Sequence, residues 1–291
     1  ITGFNYPNTG GKLIIRNAEG HKPVLFGNIA PNNSDLNLDE LLIDGLNWND
    51  PTLLDSVRIT GYNADSYSPF YFQNKNGYIG LFRITNSTFE NLEMQAVIRA
   101  NKCYDEGAGT GLTIGKIVMN FNEFNNFGGA TEDGKVAFHF IQFDVKGAYT
   151  INNFEFVENV VKNFHGSQMF NISREGALNP ADSTINIKIS NNVFYKVGGN
   201  ANDKYRNFLE FNKTPVGFDV NIDITNNIFY KRWSDVNYPT GQLDLFDGTQ
   251  VKSYSINVLK NYYEGEYYSS DDTYGANPLA PIDAPATDNL K

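Results

Sequence analysis

Ten polar residues fall in one strand segment of a recurring apolar pattern: Arg99, Gln142, Asp144, Asn171, Ser173, Arg174, Glu210, Asn212, Asp244 and Asp247. Residue types of this kind support two chemistries. Two carboxyl groups held about 5–10 Å apart can cleave a glycosidic bond. A cation that neutralises a uronate, with Lys or Arg to take the adjacent proton, can drive β-elimination. Glu210 and Asp244 fall at equivalent points of consecutive repeats, so their carboxyls could lie close together. Carboxylates that close perturb each other's protonation or bind Ca²⁺. For an elimination, Arg174 is the base, with Glu210, Asp244 and Asp144 as acid or calcium residues. Calcium is then the cofactor to test, and no other cofactor is required.

The same positions can also simply bind. Arg99, Asp144, Asn171 and Asn212 offer hydrogen bonds, and Tyr195 and Tyr230 offer flat rings in matching phase. Stacking plus hydroxyl hydrogen bonds is what a sugar ring needs. The plain alternatives are a solvated strand face with ordinary charge alternation and an aromatic ladder that stiffens a sheet. His139 sits between Phe138 and Phe140, where a packed histidine is the simpler reading of a possible base. His21 and His165 are scattered, so no histidine metal site is expected. Cys103 is the single cysteine, which excludes an internal disulfide framework and zinc sites built on several cysteines.

The elements that must position these residues are visible as a repeat. Seven segments align on one large apolar residue: Trp48, Phe89, Phe124, Val161, Phe194, Phe229 and Tyr263, spaced 33 to 41 residues apart. Seven positions earlier stand Leu41, Phe82, Ile117, Phe154, Ile187, Ile222 and Ile256. Five positions earlier stand Ile43, Ile84, Met119, Phe156, Ile189, Ile224 and Val258. The residues between these two columns vary freely, from Arg83 to Glu155 to Asp223. A fixed face alternating with a free one is a strand, not a helix. Two residues before the anchor come Asn122, Asn159, Asn192, Asn227 and Asn261, preceded by Leu46 and Ser87. Stacked at one corner of successive coils, these would form a ladder of side-chain amides.

A further strand per repeat is read in Val97–Asn101, Ile141–Asp144, Met169–Arg174, Phe208–Lys213 and Leu243–Asp247. A short third one follows each anchor, as in Phe194–Val197. The pattern predicts an all-β chain, a right-handed parallel β-helix with three strands per coil and seven or more coils. A β-propeller would need a hairpin signal at a fixed phase, and none recurs. One such domain is expected over 1–291, with opening turns in 1–40, including Lys12–Arg16 and Pro23–Phe26, and a tail at 271–291.

Composition narrows the partners. The 33 acidic against 23 basic residues leave a net charge of −10, which argues against nucleic acid and against an anionic membrane surface. No apolar run has the length of a membrane span, so insertion is not expected. Asparagine is the outlier, at about 40 residues. The chain starts at Ile1 without a leader, which is expected of a processed, exported protein.

The opening Gly11–Arg16 with Lys22-Pro23-Val24-Leu25 resembles that of pectin-lyase-like β-helices. The Ile-x-Asn-Asn-x-Phe-Tyr repeats, as in Ile189–Tyr195 and Ile224–Tyr230, resemble uncharacterised secreted β-helix domains of gut Bacteroidetes. The resemblance covers nearly the whole chain and rests on core and corner residues. It implies an extracellular or cell-surface protein whose partner is a polysaccharide, and its wider superfamily includes pectate lyases, polygalacturonases and tailspikes. The Asn-Thr-Asp and Gly-His-Gly motifs of polygalacturonases are absent, and the one Asp-Asp, Asp271-Asp272, lies in the tail. The Trp-x-Asp-His signature of pectate lyases is absent too. The leading expectation is polysaccharide binding along a β-helix face. The alternatives are a polysaccharide lyase acting on a uronate-containing glycan and a non-catalytic structural or adhesive solenoid.

Overall fold

The computed structural model describes residues 10–25, 29, 35–49, 68–72, 76–92, 96–100, 111–128, 139–142, 150–165, 168–171, 184–197, 207–211, 219–230, 242–245 and 253–264. Asp144, Arg174, Asn212, Cys103 and the tail 271–291 lie outside these residues. Among the described residues there is no helix, only strands, turns and bends.

The strands form three sheets in which every pairing is parallel, each strand bonding to its counterpart one repeat away. The fold is a parallel β-helix, and its first two sheets have eight strands each. The first sheet runs from Lys12–Arg16 through Asp35–Asp44, Asn76–Thr85, Gly111–Asn120, Thr150–Val157, Thr184–Ser190 and Asp219–Thr225 to Ser253–Leu259. The second runs from Val24–Leu25 through Asn47–Asn49, Thr88–Leu92, Glu123–Gly128, Val160–His165, Val193–Val197 and Ile228–Tyr230 to Tyr262–Glu264. The third has six strands: Phe70–Phe72, Ile98–Ala100, His139–Gln142, Gln168–Asn171, Asn207–Phe211 and Gln242–Leu245. The anchor column lies in the second sheet, and the two apolar columns before it lie in the first, all in continuous register.

Register stacks like on like, about 4.8 Å apart per coil. Trp48, Phe89 and Phe124 therefore lie ring on ring, with centroids 4.9 and 4.8 Å apart and planes within 9°. Phe194 and Phe229 repeat the stack at 4.9 Å. Third-sheet rings meet these columns edge-on, Phe70 against Trp48 at 5.1 Å and Phe208 against Phe194 at 5.4 Å. The interior is thus closed by rings at both geometries that aromatic quadrupoles favour.

The corner between the first two sheets carries the amide ladder. Asn122, Asn159, Asn192 and Asn227 each donate from Nδ2 to the Oδ1 of the next coil's asparagine, at 2.9 to 3.2 Å, ending on Asn261. Each accepting Oδ1 also takes the backbone N–H of the preceding coil's ladder residue. The second Nδ2 proton goes to a first-sheet carbonyl, from Ile84 to Ile224. All five asparagines are buried with these bonds made. The left-handed residue of the corner is the one before the ladder: Gly45, Asn86, Phe121, Glu158, Asn191, Asn226 and Lys260 have φ between 51° and 69°. A second left-handed series, Asn91, Asn126, Asn163 and Lys196, bends the chain two residues after the anchors Phe89, Phe124, Val161 and Phe194.

Glycine is required at one place in the first sheet. A Cβ on Gly80 would sit 2.7 Å from the carbonyl oxygen of Asp39, and one on Gly115 would sit 2.7 Å from that of Gly80. Both residues fall between register pairs, Ile79 and Leu81 matching Ile114 and Lys116. The bulge is stacked on these coils, and at Gly80 and Gly115 a side chain would meet the backbone of the coil before; Asp39 and Asn152 hold the same position on the coils to either side.

Candidate functional site

The third sheet aligns the candidate residues. Tyr71 pairs with Arg99, Arg99 with Gln142, Gln142 with Asn171, Asn171 with Glu210 and Glu210 with Asp244. One line therefore holds an aromatic, a cation, two amides and two carboxylates on successive coils. The matching line one residue earlier is apolar throughout, Phe70, Ile98, Ile141, Phe170, Leu209 and Leu243. Phe70, Ile98, Phe170 and Leu209 are fully buried, so strand alternation assigns the positions of the polar line to the outer face. At about 4.8 Å per coil it runs about 24 Å, the length of a short oligosaccharide. The Arg99 guanidinium lies over the Tyr71 ring, 5.3 Å from its centroid, which orients the cation and leaves it half-buried.

Of the residues singled out for chemistry, Arg99, Gln142, Asn171, Glu210 and Asp244 are brought onto this one line. Glu210 and Asp244 are direct register partners on adjacent coils, a spacing at which two carboxylates can act on one bond or share a cation. Asp144, Arg174 and Asn212 fall outside the described residues. Among the described residues no group of three or more His, Cys, Asp or Glu is placed to hold a metal ion.

Tyr195 and Tyr230 are elsewhere, on the outer face of the second sheet, register partners with rings stacked at 5.5 Å and 16°. Lys196 approaches the Tyr195 ring, 5.6 Å from its centroid. Their facing surfaces are taken by each other, so a ligand there meets ring edges and hydroxyls. The stack also serves the sheet, as a cross-strand pair does. Beside them Lys162 bonds Glu123 at 2.6 Å, closing the charge on that face. A depression of about 490 Å³ near the first coil is lined by Arg16, Asn17, Ala18, Glu19, Asp44 and Gly45, and contains none of these candidates.

One member of the third-sheet line escapes a reading of the repeat. Tyr71 belongs to the strand Phe70–Phe72, which is too short to register as a repeat copy, although Phe-Tyr-Phe is itself the in-out-in pattern. Gln142 is recognisable as polar but gains its place only through its pairing with Arg99 and Asn171. No protein-family model, curated protein or solved structure matches the chain.

Proposed function

We propose that the chain binds a polysaccharide along the outer face of the solenoid, as an exported or surface-attached protein. The observation that carries this is the third-sheet line from Tyr71 to Asp244, six chemically suited residues on consecutive coils in unbroken register. An extended chain of similar rings is matched by an extended row of similar steps, whose residue types can hydrogen-bond or stack on a sugar. The resemblance to pectin-lyase-like and Bacteroidetes β-helix domains supports the same ligand class. Fold alone assigns no activity, and the residues of the line carry the reading.

A lyase is the second reading, favoured by the register pairing of Glu210 with Asp244 and by Arg99 on the same line. Calcium on the carboxylate pair would neutralise a uronate, and Arg174 is the base assigned from sequence. One experiment separates the readings. The protein is run through gels containing uronate or neutral polysaccharides, with and without Ca²⁺, and the same mixtures are followed by ultraviolet absorbance of unsaturated products. Retardation without absorbance growth supports binding, and Arg99→Ala should then weaken it. Absorbance growth abolished by Arg174→Ala and Glu210→Ala supports elimination. Neither signal on any glycan rejects both.

A further inference from the structure

We propose that the corner ridge from Phe121 along Val160, Val193, Ile228 and Tyr262 is a second glycan track, selective for uncharged chains. The inference rests on the polysaccharide reading above and concerns a different face. The first observation is Phe121 itself. It has φ 57° and is 54% exposed, so a bulky ring is held in a left-handed conformation and turned to water. Four equivalent corners use Gly45, Asn86, Asn191 and Asn226, residues that take this conformation at little cost, and two use Glu158 and Lys260, whose charges meet water, so Phe121 is the one apolar side chain of the series. A phenylalanine there costs stability through its backbone and its exposed apolar area together, and outliers of that kind concentrate at ligand contacts.

The second observation is the run of apolar residues on the later coils. Two residues past the corner stand Val160, Val193, Ile228 and Tyr262, in direct register. Ile228 is 42% and Tyr262 37% exposed, so three of the six exposed large apolar residues among the described residues lie along this ridge. The same column opens on Val24, 56% exposed, and is polar on the three coils that follow, Asn47, Thr88 and Glu123. The apolar run therefore starts at Val160 and spans four consecutive coils, about 14 Å from Val160 to Tyr262, with Phe121 at the corner of the coil before it.

The third observation names the ligand. Beside the apolar rungs run Glu158, Asn191, Asn226 and Lys260, all exposed. Among the described residues, the bonds of Asn191 and Asn226 are made by their backbone N–H groups, to Thr225 and Leu259, and their side-chain amides face solvent. The ladder asparagines one residue further on turn their amides inward and bond them to one another. The central rungs Val193 and Ile228 are edged by the exposed amides of Asn191 and Asn226, with Glu158 and Lys260 only at the two ends, and this suits a pyranose chain that lays its C–H faces on the rungs and its hydroxyls on the amides. A uronate carboxylate finds no cation on the central rungs, so the class is a neutral glycan.

The test uses Phe121→Asn, which installs the residue of the neighbouring corners, together with Ile228→Thr, which installs the residue of Thr88 in the same column. Affinity electrophoresis is run on xylan, galactomannan, mixed-linkage β-glucan, polygalacturonate and alginate. The expected result is about a tenfold loss of affinity for the neutral glycan that retards the wild type, from loss of one stacking contact. Phe121→Asn should also show a raised Tm, which separates lost binding from lost fold. Asn221→Ala, on the exposed face of the first sheet, should leave that neutral affinity within about twofold, below the loss expected of one direct contact. Retardation of both corner variants equal to wild type overturns the ridge and leaves the polysaccharide reading standing. A wild type retarded by acidic glycans alone overturns the ridge as well. A wild type retarded by none removes both.

Discussion

Removing one rung of the buried amide ladder tests the physical basis of this fold most directly. In Asn159→Ala, the Oδ1 that accepts both the backbone N–H and the Nδ2 of Asn122, each at 3.0 Å, is gone. The carbonyl of Met119 loses a donor at 2.9 Å. Asn192 keeps its bond from the Asn159 backbone, since that group is unchanged. Two donors are therefore orphaned at Asn122, a residue 2% exposed. A buried donor without a partner costs roughly 1–3 kcal/mol, so the pair should cost about 4 kcal/mol. Ser87→Ala orphans one group, the Leu46 N–H at 3.2 Å, and should cost about 1.5 kcal/mol. Asn221→Ala breaks a similar bond, Nδ2 to the Asn186 Oδ1 at 2.9 Å, but on an exposed face where water replaces it, and should stay within about 0.5 kcal/mol. Urea unfolding gives the three differences. Native-state hydrogen exchange at the Asn122 amide should accelerate in Asn159→Ala alone. A cost for Asn159→Ala no larger than for Asn221→Ala, with the Asn122 amide still protected, would refute the claim that the ladder satisfies groups water cannot reach.

Two further predictions concern packing. Gly115→Ala drives a methyl to within 2.7 Å of the Gly80 carbonyl oxygen, where backbone must yield, whereas at Gly77 the nearest atom is Leu112 Cδ1 at 2.9 Å, the tip of a movable side chain. Gly115→Ala should therefore lower Tm clearly more than Gly77→Ala, and equal shifts would argue against the stacked bulge. Phe124→Ala opens the ring column below Phe89 and should cost about 3–5 kcal/mol, measured by urea unfolding. Val161, the aliphatic residue between Phe124 and Phe194 in the anchor column, should accept Phe poorly, because Phe156 lies against Phe124 at 6.1 Å and against Phe194 at 6.2 Å, across the gap the smaller side chain leaves. A Val161→Phe variant more stable than wild type would show that reading to be wrong.

The apolar columns and the amide ladder are legible because a solenoid places the same position of every repeat in the same surroundings. Trp48 to Phe229, Leu41 to Ile256 and Asn122 to Asn261 each face one environment, so residue type repeats where the structure does. The third sheet is harder to read, because its strands are three to five residues long and the connections around them vary in length. Its copies can be located to within a few residues, and Phe70–Phe72 gives no repeat signal at all. The candidate site shares that divide. Its residue types can be picked out one by one, and the phase of Glu210 with Asp244 can be counted along the chain.

Which residues become neighbours is a different matter. Arg99 meets the ring of Tyr71, and the polar line runs unbroken to Asp244, only because inter-coil hydrogen bonds set the register of strands separated by connections of unequal length. The strained conformation of Phe121 is likewise invisible in the sequence, since φ at the corner is imposed by the turn into the next strand and not by the preference of the residue standing there. Repetition writes the core into the sequence because burial constrains every copy alike. The outer faces carry no such constraint, so what they assemble is decided by register, which exists only once the coils have closed on one another.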